Sequence, residues 1–249
     1  MDASKRIREA IDRVSELRQI SSQKAGLSRA LSEVKGWQAK RFSNTYMDLL
    51  ASPVYSGCAN FFLEELYSER DYSHRDAQFA KVAAAIELAF PVQVINIAVT
   101  LAELHRTTEE LDLQMAQSWQ RLGQQSPYAR YIQSWRTVGQ RDKREWQLDT
   151  VLEIGRQLTA LTRKRSLRLL LKMMRRPAEL AGLGDLQAFL EVGFDRFRQL
   201  ARNTEAVNEF LRTIQTSESQ WITDLFYINA TQKAKNAQSS DWAFMALGA

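Results

Sequence analysis

Residues 185–197 read DLQAFLEVGFDRF, and the apolar positions Leu186, Phe189, Leu190, Phe194 and Phe197 recur at offsets of three, four, eight and eleven. That spacing keeps one face of an α-helix apolar, whereas a strand would scatter the same side chains over both of its faces. Asp185 stands where an N-cap would, just beyond Gly182 and Gly184. Gly193 in a helix interior costs about 1 kcal/mol relative to Ala, so a second helix is expected to pack closely against it.

The same rhythm extends in both directions. Towards the N-terminus, residues 142–176 carry a continuous helical pattern that Pro177 and the two glycines are expected to stop. Ser126 and Pro127 form an N-cap and first-position pair for a helix that breaks near Gly139. Residues 82–102 are apolar over the length of a membrane span. Glu87, Pro91, Gln93 and Asn96 interrupt them, which reads as core with a kink or helix start at Pro91. Ser73 is placed to cap the preceding helix, and Ser52 with Pro53 to open the aromatic run Phe61, Phe62, Leu66 and Tyr67. The first fifty residues give one or two amphipathic helices. Beyond residue 197 two more are expected, Thr204 to Ile214 and Ser217 to Asn229, the second opened by the capping-box pair Ser217 and Gln220.

With only 10 Gly and 4 Pro in 249 residues there is little material for the many turns of a β fold, and 45% apolar residues are enough to form a core. The expected fold is therefore all-α, an irregular multi-helix bundle of about eight to ten helices. Residues 1–231 are read as a single helical-bundle domain. Residues 232–249 form a tail, polar until Trp242, Phe244, Met245 and Leu247, that either docks or hangs free.

Two segments, Phe61–Asp76 (FFLEELYSERDYSHRD) and Gly182–Phe197 (GLGDLQAFLEVGFDRF), carry a resemblance. They resemble a family of uncharacterised proteobacterial proteins with FFLxDLYG…RD and GLGxLQxFLExGFxxF segments, and the likeness extends over most of the chain. Glu65 and Ser68 stand where the family pattern has Asp and Gly. The resemblance implies no activity, ligand or cofactor.

Chemistry has few places to sit. The sole cysteine, Cys58, lies among apolar neighbours and reads as a buried, inert thiol of a reducing compartment. The opening residues run into charged helical sequence without the apolar core of a secretory signal, so the expected location is cytoplasmic. P-loop, nucleophile-elbow and dinucleotide-binding patterns are missing from the sequence.

The two histidines define one possible polar centre: Glu65, Asp71 and His74 in one segment, His105 and Glu109, with Glu103 and Asp112, in another. If folding joins them, an enzyme, a metal site or a haem pocket with one His ligand follows, although the paired Glu-x-x-His repeats of a di-metal bundle are missing. If it does not, the charges are salt bridges and helix caps.

The strongest anomaly is electrostatic. Between Glu153 and Glu179 the chain has eight cations and no acid, while its overall charge is +5, so the remainder is net about −3 by subtraction. At about 100° per residue, Lys164, Arg165, Arg168, Lys172, Arg175 and Arg176 share a third of a helix circumference, and leucines and methionines take the rest. Such a basic amphipathic helix suits an acidic protein surface or anionic membrane headgroups; in the structural alternative it is a core helix with a solvated basic face. Nucleic acid is disfavoured because no aromatic residues for base stacking interleave with the cations. The sequence leaves a homo-oligomer open.

Overall fold

The computed structural model describes residues 2–66, 72–123 and 125–227, and every regular element among them is an α-helix. In order they are α1 (Ala3–Gln23), α2 (Leu27–Thr45), α3 (Met47–Ala51), α4 (Ser56–Leu66), α5 (Ser73–Ala89) and α6 (Val92–Arg121). After these come α7 (Pro127–Val138), α8 (Arg141–Thr162), α9 (Arg165–Leu180), α10 (Gly184–Leu200) and α11 (Thr204–Tyr227). No described helix is long and apolar enough to cross a membrane.

The 30 residues of α6 make an axis of roughly 45 Å at 1.5 Å per residue, and α1, α2, α5, α7 and α8 lie along it. One hydrophobic cluster joins Met115 and Trp119 of α6 to Val34 of α2, Tyr131 of α7 and Leu225 of α11. A second gathers Phe62 of α4, Leu152 of α8, Phe197 of α10 and Phe210 of α11. Two smaller clusters seat α1 and α5 on the first half of α6, and α8 with Leu167 of α9 on its flank. Helix α9 lies outermost, held by α10 and α8, and only Ala178 of its residues is buried.

Several expected boundaries are met. Ser126 Oγ accepts the Ala129 N–H, and Gly139 (φ 63°) ends α7. Gly182 adopts φ 72° and its N–H donates to Glu179 O, which closes α9 with the left-handed turn that glycine makes cheaply. At Gly193 a Cβ would stand 3.0 Å from Phe61 Cζ, the close approach that its place in a helix required.

Other boundaries differ, and eleven helices are found among the described residues instead of eight to ten, the short α3 being the one without an expected counterpart. The pattern over 142–176 is cut at Arg163 and Lys164. Thr159 and Thr162 there bond back to the carbonyls of Gly155 and Thr159, and such hydroxyl competition weakens the last turn of α8. Pro177 does not stop α9, because the buried Ala178 holds one further turn in place until Gly182. The cap pair at Ser217 opens nothing: Ile214, Trp221 and Leu225 stay on one inward face, so α11 runs through. Helix α4 starts at Ser56, with Ser52 O accepting its N–H at 2.9 Å, instead of at Pro53. Gly26 (φ 74°) separates α1 from α2. Pro91 starts α6 and does not kink α5. The stretch 82–102 is only partly core, for Leu88 and Val92 at this corner are 89% and 64% exposed. The tail from 232 lies outside the described residues.

Candidate functional site

The polar residues expected to form one centre are placed in separate ion pairs. His74, in the first turn of α5, is exposed, and its Nδ1 sits 2.5 Å from Asp185 Oδ2 at the start of α10. Gln78, one turn further on, accepts the Leu186 N–H at 2.9 Å, so this group clamps α5 to the beginning of α10. His105, on α6, turns instead to the buried Asp76, with Nε2 2.9 Å from Oδ2, and Arg18 of α1 donates to the same oxygen at 2.6 Å. Burial pushes the Asp76 carboxyl up, but His105 and Arg18 outweigh it and hold the group below the usual carboxylate range.

Glu65 accepts from Arg75 at 2.5 Å, and that guanidinium lies 4.1 Å from the ring centroid of Tyr72 and 4.6 Å from that of Phe189. Glu109 is buried against Lys35 Nζ at 2.7 Å, and Glu103 pairs with Arg6. Asp71 lies outside the described residues. The structure thus brings α5 and α6 together through Asp76 and His105, but it gives His74, His105, Glu65 and Glu109 different partners. Among the described residues no group of three or more His, Cys, Asp or Glu side chains is placed to hold a metal ion.

A buried polar seam between α2, α6, α7 and α8 was only half visible from sequence. Asp112 accepts from Gln38 Nε2 at 2.8 Å; burial raises its carboxyl pKa, while Lys35 pulls in the opposite direction. Tyr131 Oη, near enough to Asp112 to sense its charge, and Ser134 Oγ on the same helix are buried without a hydrogen-bond partner among the described residues. Glu109 and Asp112 sit one turn apart on α6, but Lys35 and Gln38, more than seventy residues away, carry no local sign of this role. Cys58 is buried too, and burial drives its thiol pKa up to about 12, which fits an inert side chain.

The cationic segment divides differently from the expected continuous face. On α10, Asp195 accepts from Arg168 Nε at 3.1 Å and Glu191 takes both arms of Arg175. Lys164, Arg165, Lys172 and Arg176 are exposed and make no ion pair among the described residues. The apolar side divides as well. Leu167, Leu170 and Leu171 turn partly inward, whereas Leu169 and Met173 are each 59% exposed and Leu180 is almost fully so.

Helical geometry puts Leu169, Met173 and Leu180 in one row, with Arg176 completing the three-and-four spacing and Arg165 and Lys172 along its edge. The opposite, inward side of α9 and its C-terminal end reach the corner of α5 and α6, since Leu167 shares a cluster with Val94 and Lys81 Nζ of α5 donates to Ala181 O. An apolar row with cations on one border and little covering it can receive another surface of matching shape and opposite charge.

Neither a curated protein nor a solved structure matches the chain. A family model matches most of it: over residues 17–232 the chain belongs to the family described as "Domain of unknown function (DUF8198)".

Proposed function

We propose that the protein is an interaction module whose α9 receives an acidic amphipathic helix from a protein partner. One observation carries this: Leu169, Met173 and Leu180 lie open in a helical row beside the unpaired Arg165, Lys172 and Arg176. Helices dock by setting such a ridge of three-and-four spacing into a partner's groove, and acidic flanks on the partner would meet the cations. The partner helix is favoured over a bilayer because α9 turns Leu167, Leu171 and Ala178 towards its own neighbours, leaving a narrow strip outward. An interfacial membrane helix buries a broad apolar face. A cytoplasmic location belongs to the same reading and accords with the buried free Cys58.

The test uses a fluorescent helical peptide with leucines at i, i+3, i+4 and i+7 and glutamates on both flanks. The wild type should bind it saturably and more weakly as salt rises. Lys172→Glu with Arg176→Glu should weaken binding about tenfold, equivalent to about 1.4 kcal/mol. Undiminished binding by that double variant, or capture by phosphatidylserine vesicles with no binding of the peptide, would refute the proposal.

A further inference from the structure

Where α9 crosses the end of α10, an open cleft of about 250 Å³ is lined by Arg168, Asp195, Arg198, Gln199 and Arg202. Arg198 lies in the last turn of α10 and Arg202 in the turn that follows it, on the far side of the α9–α10 connection from Arg168. A fourth cation stands close by, because Arg163 at the end of α8 donates to Thr204 Oγ1, two residues beyond Arg202. Against these the cleft has one acid, Asp195, engaged with Arg168 at 3.1 Å. Neither Arg198 nor Arg202 has a hydrogen-bond or ion-pair partner among the described residues.

The cleft gathers three guanidinium groups of like charge, more than the C-terminal end of α10 needs to offset its helix dipole. The charge left in the cleft once Asp195 is counted is about +2, which a phosphate monoester, carrying −1.5 to −2 at neutral pH, would balance. Guanidinium forks bind phosphate oxygens through paired N–H donors, and Gln199 adds a neutral amide donor. The ion pair between Arg168 and Asp195 is solvent-exposed and therefore weak, so a doubly charged anion can displace it. The cleft is too small for a whole cofactor and suits the phosphate end of a larger molecule.

We propose that this cleft is a binding site for a terminal phosphate group, borne by a soluble metabolite or by a lipid headgroup. It lies on the other flank of α9 from the row of Leu169 and Met173 and does not depend on the docking of a partner helix. Calorimetric titration with pyrophosphate at constant ionic strength should give saturable binding. Arg198→Gln with Arg202→Gln should weaken it at least about tenfold. Asp195→Asn, which frees Arg168, should tighten it about threefold, a gain that simple damage to the fold would not produce. Vesicles containing phosphatidic acid serve as the second arm. Flotation that the arginine double variant abolishes assigns the phosphate to a lipid, and pyrophosphate binding without flotation assigns it to a soluble ligand. Absence of both, or binding by the double variant equal to wild type, would overturn the proposal.

Discussion

The flank of α6 and the face of α9 use the same residue types in opposite ways. Beside α6 three acids meet a basic side chain from another helix: Asp76 of α5 takes His105 and Arg18, Glu109 takes Lys35, and Glu103 takes Arg6, while Asp112 accepts from the Gln38 amide. Along α9 two of the six expected cations find acids on α10 and four find none, and apolar side chains stay open beside them. Charge placed in an interior has to be matched, because an unpaired buried ion is costly. Charge left unmatched on a surface costs little and is free to act on something else. That contrast is the ground for proposing recognition at the arginine-bearing segment, whereas the histidine-bearing segments are tied into contacts within the fold.

The largest way to break this comparison lies in the interior. Lys35→Ala leaves Glu109 and Asp112 buried together and should cost about 3 kcal/mol or more in denaturant-induced unfolding. The pH dependence of the two buried aspartates should differ in sign. Asp76 is held below its ordinary range, so the stability it contributes is full above the unfolded-state value and is lost as pH falls through the folded one. Asp112 is raised, so its contribution is present at low pH and is lost as pH rises through its folded value. Asp76→Asn should therefore destabilise at neutral pH and less so in acid, whereas Asp112→Asn should hold or raise stability at neutral pH. Urea unfolding at several pH values reads both; identical pH profiles for the two variants would remove the distinction.

A mid-sized effect is expected where α10 meets α4. Gly193→Ala places a Cβ 3.0 Å from Phe61 Cζ, and the strain, about 1–3 kcal/mol, should exceed the helix-propensity gain of about 1 kcal/mol. The smallest effect is expected on α9. Leu169→Ser and Met173→Ser should change stability by less than about 0.5 kcal/mol, because both side chains already face solvent, and should weaken peptide binding. Substantial destabilisation by those two would show that the row is part of the core.

Helix-forming tendency and many ends of helices were legible in the sequence because their signals are local: Ser126 with Pro127, Gly139, Gly182, and the demand for a close neighbour at Gly193. What was not legible depends on contacts between distant segments. Pro177 stays inside α9 because Ala178 is buried, and α11 passes Ser217 because Trp221 and Leu225 have a core to enter. Separation limits the candidate sites still more. Asp76 and Arg18 are 58 residues apart, so His74 and His105 could not be assigned their separate partners from spacing alone. The α9 cations were legible as a charge run. That Arg168 turns to Asp195 and towards Arg198 and Arg202, away from the open row, appears only after α9 folds back along α10.

Amide hydrogen exchange across the whole chain, with and without a saturating concentration of the acidic helical peptide, most directly tests whether α9 is the recognition surface. Slowed exchange centred on α9, with α1 and the body of α6 unchanged, is the predicted result. An unchanged α9, or protection centred on His74 and His105, would contradict it.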